Sequence, residues 1–154
     1  METLSIRPIG AIRLEEGGPC VELDPAFLPA LKGLEHYSHV HVFWWFSRRD
    51  NPVDRAVTQV NPAHGAAPGP MGVFASRSPC RPNPIALSTA EITYIDPVRG
   101  RVGLAWTDAE DGTPVVDLKP YSPGLDRVLD CREPAWHRDW PRSYEEAREA
   151  KRPR

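Results

Sequence analysis

The chain has 154 residues and a formal net charge of −2 at neutral pH. This length is typical of one domain with its own core, and the charge excludes a global basic field that would attract nucleic acid. Proline is unusually common, with 18 among the 154 residues, compared with a usual frequency of about 5%. They disfavour long helices and favour strands, turns and fixed loops.

The three cysteines lie far apart and form no Cys-x-x-Cys pair, so neither a zinc ribbon nor a disulfide framework is predicted. The chain begins without a secretory signal pattern and contains no apolar run long enough to span a bilayer. We therefore expect a cytoplasmic protein without a membrane partner.

The first third of the chain predicts three strands and one helix. Strands are expected at residues 5–13 and 19–23, with the Gly17-Gly18 turn between them. Asp24 is the expected N-cap of a helix that starts at Pro25 and ends near Lys32. The β-branched and aromatic run at residues 39–46 predicts a central strand.

The remainder predicts more short strands than helices. A turn is expected at residues 51–54, a loop at 61–71, a short apolar strand from Gly72 and a charged helix at 143–150; further strands are expected at 56–60, 85–96, 101–107 and 115–118. Strands and helices do not alternate, and no G-x-G-x-x-G turn is present. The prediction is a mainly β, small single-domain barrel-like fold with a few short helices, and not a Rossmann fold.

Three histidines form the pattern H-x-x-H-x-H at positions 36, 39 and 41. His39 and His41 would share one face of the central strand, as metal ligands often do. Apart from Glu35, no cysteine or acidic residue nearby completes a site. We therefore expect histidines engaged in hydrogen bonds and no metal.

The segment from Gly72 to Pro84 holds Arg77 and Arg81 between prolines. Prolines restrict the residues before them, so this loop should be stiff. A stiff loop that presents guanidinium groups suits a carboxylate or a phosphate. Ligand contact is favoured for Arg77, whereas ligand contact and an internal ion pair are equally supported for Arg81.

The segment from Asp111 to Tyr121 begins with an Asp-Gly turn and continues with alternating polar residues. Asp117, Lys119 and Tyr121 should share one strand face. Such a face is typical of a proton-transfer group, of a buried polar network or of a dimer contact, and all three readings stay open.

These two segments, together with residues 34–39, resemble the YaeB/TsaA-like (TrmO-type) family of S-adenosylmethionine-dependent tRNA methyltransferases. The resemblance covers residues 6–123. It implies a barrel-like domain at residues 1–123 that binds S-adenosylmethionine, followed by a tail at 124–154. It also implies a homodimer with the cofactor near the subunit contact, and tRNA as a partner.

The resemblance also implies which residues contact the cofactor: Ser47, Arg48, Arg77, Leu87, Ala105, Trp106, Thr107 and Asp108. Arg77 suits the methionine carboxylate, Asp108 suits a hydroxyl or amine, and Leu87 and Trp106 suit the adenine. As groups that assist the attacking nitrogen we predict Asp111, Asp117, Lys119 and Tyr121.

The chain departs from the family pattern at three places. It lacks a Pro-Arg-Gln segment after the first strand, and it has Ser47-Arg48 where a histidine-containing pair is usual. Only about thirty residues follow Tyr121, whereas family members have a C-terminal domain of substantial size. The tail mixes arginines with Trp136 and Trp140, which suits single-stranded bases or a packed tail.

The predicted reaction is N6-methylation of threonylcarbamoyladenosine at position 37 of tRNA. The alternatives are methylation of a small molecule and S-adenosylmethionine binding without catalysis.

Overall fold

The computed structural model describes residues 4–61 and 69–150. Its strands are β1 (Gly10–Glu15), β2 (Gly18–Leu23), β3 (His39–Trp45), β4 (Gln59–Val60), β5 (Met71–Gly72), β6 (Ile85–Asp96), β7 (Arg101–Leu104) and β8 (Pro114–Pro120). The α-helices are α1 (Pro52–Arg55), α2 (Pro123–Asp126) and α3 (Tyr144–Ala150). Short 3-10 helices cover Pro25–Leu31, Leu34–His36, Ser47–Arg49, Val73–Ala75 and Ala135–His137.

Six strands form a closed antiparallel barrel in the order β1-β2-β7-β6-β3-β8, while β4 and β5 pair separately. The predicted mainly β barrel is confirmed. Within the described residues, no helix is long and apolar enough to cross a membrane.

Side chains of alternate strand residues fill the barrel, as the period of two in a β-strand requires. Val40, Val42 and Trp44 of β3 point inward and are buried, whereas the residues between them face outward. Opposite them in β6 stand the small inward residues Ala86 and Ala90. Small and large side chains therefore share the narrow interior of a small barrel.

The barrel closes where β1 meets β8. Only two residue pairs join these strands, Gly10 with Val115 and Ala11 with Pro114. The backbone N–H of Ile9 donates to Val115 at 2.8 Å, and that of Ile12 donates to Thr113 at 2.9 Å. Gly10 also pairs with Leu23 of β2, and a Cβ at Gly10 would collide with the carbonyl oxygen of Glu22. Glycine is thus required sterically at the closure.

Two expectations for the first third were wrong. The first strand begins at Gly10 and not at residue 5. The predicted helix at residues 25–32 is a 3-10 helix at Pro25–Leu31 that contains Pro29, which has no N–H to donate to an α-helical ladder. Its N-cap was predicted correctly, because the Asp24 carboxylate accepts from the backbone N–H of Ala26 at 2.9 Å.

Four further expectations need correction. The predicted turn at residues 51–54 is replaced by helix α1, which Asn51 caps, and the expected strand at 56–60 is reduced to β4. The apolar strand expected from Gly72 is the end of β5 followed by a 3-10 helix. The strand expected at 101–107 ends at Leu104, because Thr107 turns the chain by accepting from the N–H of Ala109. Most of the loop predicted at 61–71 lies outside the described residues.

We predict that Gly10→Ala lowers the free energy of unfolding by about 1–3 kcal/mol, the usual cost of overpacking a tight site. The comparison is Gly17→Ala, because a Cβ at position 17 meets nothing within 4 Å. Urea unfolding followed by tryptophan fluorescence measures both values. Equal stability of the two variants would contradict the steric role of Gly10.

Candidate functional site

The end of the central strand opens into a first cavity, here called the strand-end pocket. Its volume is about 580 Å³, and it is lined by residues 44–49, 79, 108 and 110–113. The chain leaves β3 through the 3-10 helix at Ser47–Arg49, which presents Ser47 and Arg48 to the pocket. Arg48 forms an ion pair with Glu110 at 2.6 Å, so its charge is already balanced.

A second cavity, the tail pocket, lies between the barrel and the segment that follows it. Its volume is about 740 Å³. The barrel side consists of His39, Arg77, Ser88, Thr89, Trp106 and Tyr121. The other wall consists of residues 123, 126–129 and 142–145, which belong to α2 and the tail. The size is in the range of small-molecule and cofactor sites.

A chain of hydrogen bonds connects the two pockets. The Trp44 indole N–H donates to Ser88 Oγ at 2.9 Å, and Ser88 Oγ donates to Asp108 Oδ1 at 2.6 Å. Ser88 lines the tail pocket, whereas Trp44 and Asp108 line the strand-end pocket. The buried Ser88 therefore fixes the Asp108 carboxylate between the two cavities.

Ser88 is a site residue that sequence reasoning missed. It is a buried polar residue at an inward position of β6, between Ala86 and Ala90. A polar residue in an otherwise apolar alternating row was the available signal, because buried polar groups require partners.

Arg77 has a positive charge that no carboxylate neutralises within the described residues. Its Nη1 donates to the backbone oxygen of Leu87 at 3.4 Å, which fixes the guanidinium beside β6. Arg81 donates to the backbone oxygen of Ser76 at 3.5 Å and likewise forms no ion pair within that part of the chain. Of the two arginines only Arg77 lines the tail pocket.

The predicted cofactor residues are divided between the pockets. Ser47, Arg48 and Asp108 line the strand-end pocket, and Arg77 and Trp106 line the tail pocket. The remaining three, Leu87, Ala105 and Thr107, line neither. Ala105 donates its N–H to Glu91 at 2.9 Å and Thr107 accepts from Ala109, so both help to hold Trp106 and Asp108 in place.

The predicted catalytic residues are not all brought together. Asp111 lines the strand-end pocket, but its carboxylate accepts from the N–H of Leu14 at 2.9 Å. Asp117 and Lys119 line neither pocket and pair with each other at 2.8 Å on the outer face of the barrel. Tyr121, just beyond β8, is the member of the set that lies in the tail pocket with Arg77 and Trp106.

The histidines of the central strand connect the barrel to the segment that follows it. His41 Nδ1 lies 2.9 Å from Thr89 Oγ1, and its Nε2 lies 3.3 Å from an Asp126 carboxylate oxygen in α2. His39 Nδ1 lies 2.9 Å from Ser38 Oγ. No group of three potential metal ligands occurs in the described residues. Sequence reasoning missed the pairing of His41 with Asp126, because 85 residues separate the two and no local pattern links them.

Comparison with known proteins identifies the family of this chain. The profile of the tRNA-methyltransferase O N-terminal domain matches residues 6–127. A Pyrococcus horikoshii protein, named as a probable S-adenosyl-L-methionine-binding protein, is 38% identical over 78% of this chain and 84% of its own length. The mouse tRNA (adenine(37)-N6)-methyltransferase is 40% identical over 60% of this chain and 20% of its own.

Crystal structures of proteins named TrmO share the fold of this chain. TrmO from P. aeruginosa superposes with a TM-score of 0.67 at 32% identity, over 88% of this chain and 62% of that protein. The chain thus spans less than two thirds of the crystallised enzyme.

The chain belongs to the tRNA-methyltransferase O N-terminal-domain family. The family predicted from the sequence is therefore confirmed. The S-adenosylmethionine cofactor and the methyltransferase class predicted with it are confirmed at the level of the family, because its members carry those names.

We predict that Ser88→Ala lowers the free energy of unfolding by about 1–3 kcal/mol, because the buried Trp44 indole N–H loses its acceptor. Ser5→Ala, at an exposed position, is the control and should leave stability unchanged. Chemical unfolding measures both variants. A Ser88→Ala protein as stable as the control would show that the hydrogen-bond chain does not contribute.

Proposed function

We propose that this protein binds S-adenosylmethionine next to Arg77, Trp106 and Asp108 and transfers the methyl group to N6 of threonylcarbamoyladenosine at position 37 of tRNA. The observation that carries the cofactor half is the Arg77 guanidinium, which is fixed beside a cavity without a carboxylate partner in the described residues. The name of the mouse relative supports the acceptor half.

The residues present fit the chemical groups of the cofactor. Arg77 provides a forked donor for the methionine carboxylate, and a charge-assisted pair of this type is among the stronger hydrogen bonds in proteins. Trp106 provides an aromatic face for the adenine. Asp108, whose carboxylate Ser88 fixes, accepts from a ribose hydroxyl. Ser47, Arg48, Leu87, Ala105 and Thr107 complete the proposed set around these three residues.

S-adenosylmethionine supplies an electrophilic methyl carbon next to a positive sulfur. The protein has to hold the acceptor nitrogen in line with that carbon and to exclude water, so positioning provides most of the catalysis. The proposed role of Tyr121 is to hold the acceptor, which its position in the lining of the tail pocket with Arg77 and Trp106 supports. Asp111, Asp117 and Lys119 stay part of the proposal as more distant polar groups.

We propose further that residues 1–123 carry the cofactor, that the tail at 124–154 forms the acceptor side, and that the protein acts as a cytoplasmic homodimer. An apolar surface next to the cofactor residues supports the dimer. Phe74, three residues before Arg77, is 82% exposed, and Leu87 is 36% exposed. Sedimentation of the purified protein measures the oligomeric state.

Arg77→Ala should weaken S-adenosylmethionine binding ten- to hundredfold, equal to roughly 1.5–3 kcal/mol for one charge-assisted hydrogen bond. Arg81→Ala is the matched control, since Arg81 lies in the same loop but outside the tail pocket. Isothermal titration calorimetry measures both. No binding by the wild-type protein at millimolar cofactor would contradict the proposal at its first step.

The acceptor is tested separately. Labelled methyl groups should pass to tRNA that carries threonylcarbamoyladenosine and not to the same transcript with unmodified adenosine, as measured by scintillation counting. Cofactor binding without transfer to either RNA would favour the alternatives, of which methylation of a small molecule is supported by the volume of the tail pocket, about 740 Å³. Transfer to a metabolite pool would then separate that reaction from binding alone.

A further inference from the structure

The tail forms one wall of a pocket whose other wall carries the proposed cofactor residues. Three contacts hold it on the outer face of the barrel. Asp126 pairs with His41, the Tyr144 hydroxyl accepts from the N–H of Glu91 at 3.2 Å, and Arg148 forms an ion pair with the Glu91 carboxylate. The wall is therefore anchored at both of its ends.

Most charged groups of that wall are already engaged. Arg142 is paired with Glu133 at 2.8 Å. The Asp126 carboxylate faces His41 and also accepts from the N–H of Ser122 at 2.7 Å. Hydrogen bonds from its own backbone and from Ser143 lower the pKa of Glu145, so this carboxylate is ionised and has its own donors.

Arg127 is the exception among the charged residues of the wall. Its side chain forms no ion pair and no hydrogen bond within the described residues. Its charge helps to lower the pKa of Glu145, but only through space. Its backbone is nevertheless fixed, because its N–H donates to Pro123 at 3.2 Å and it follows directly on Asp126. The Arg127 guanidinium thus lines the tail pocket from an anchored backbone, with no hydrogen-bond or ion-pair partner among the described residues.

We propose that Arg127 forms an anion subsite for the methyl acceptor, which binds a carboxylate or a phosphate while Arg77 binds the cofactor. This inference rests on the proposed function. The proposed acceptor has both kinds of anion, a carboxylate on its threonyl group and the phosphates of the RNA backbone. A guanidinium forks onto either one through two parallel hydrogen bonds.

The test measures binding and does not require turnover. An anticodon stem-loop RNA with threonylcarbamoyladenosine is titrated, by fluorescence anisotropy at fixed salt, into protein saturated with S-adenosylhomocysteine. Arg127→Ala should raise the Kd for this RNA about tenfold or more. Arg99→Ala is the control, because Arg99 is an exposed arginine between β6 and β7, outside both the tail and the tail pocket, and it should change the Kd less than threefold.

A second RNA, in which the threonyl carboxylate is methyl-esterified, separates the two sources of the anion. If esterification weakens wild-type binding about as much as Arg127→Ala and adds nothing in that variant, the anion is the carboxylate. If the ester binds like the acid while Arg127→Ala is still weak, the anion is a phosphate. Either result supports the subsite.

Equal affinities of Arg127→Ala and Arg99→Ala would overturn the inference, and so would the absence of RNA binding by the wild-type protein. Calorimetry with S-adenosylmethionine should give the same affinity for wild type and Arg127→Ala, because Arg127 lies on the acceptor wall. Intact RNA binding without methyl transfer would overturn the proposed reaction and leave the subsite standing.

Discussion

Closure of the barrel between β1 and β8 is the constraint on which the rest of the structure depends. These strands meet through only two residue pairs, at a glycine whose Cβ would strike the backbone of the neighbouring strand. Closure removes the free strand edges that an open sheet would expose. It also fixes β8 between β1 and β3, and thereby brings Tyr121, just beyond β8, into the lining of the tail pocket.

The central strand β3 serves both the core and the site, because its two faces have different tasks. Its inward row packs the interior and includes Trp44, whose N–H reaches Ser88 and, through it, Asp108. Its outward row includes His39 and His41, which reach the tail pocket and α2. The positions of Asp108 and of the tail wall are therefore both set by one strand of seven residues.

Much of the fold and part of the site were predictable from the sequence. Alternation and turn residues indicated the strands, and two long motifs indicated the family. The remaining contacts of the site depend on how distant strands pair and where the tail packs, which a single sequence does not reveal. Asp117 and Lys119 pair with the outward residues Phe43 and His41, and the Tyr121 N–H donates to His39, so all three follow one strand face as alternation predicted. Which of them lines the tail pocket depended on where the tail packs, and only Tyr121 does so among the three. The contacts of Ser88 with Asp108 and of His41 with Asp126 span 20 and 85 residues of sequence and required the closed barrel.

The attachment of the tail has a consequence for how such a protein changes over evolutionary time. The tail contacts the barrel through outward residues of β3 and β6, whereas the core is built from the inward residues of the same strands. Substitutions that alter the tail wall of the pocket thus fall on different positions from those that maintain the fold. The tail and its few outward contacts can therefore be exchanged without repacking the core of the barrel.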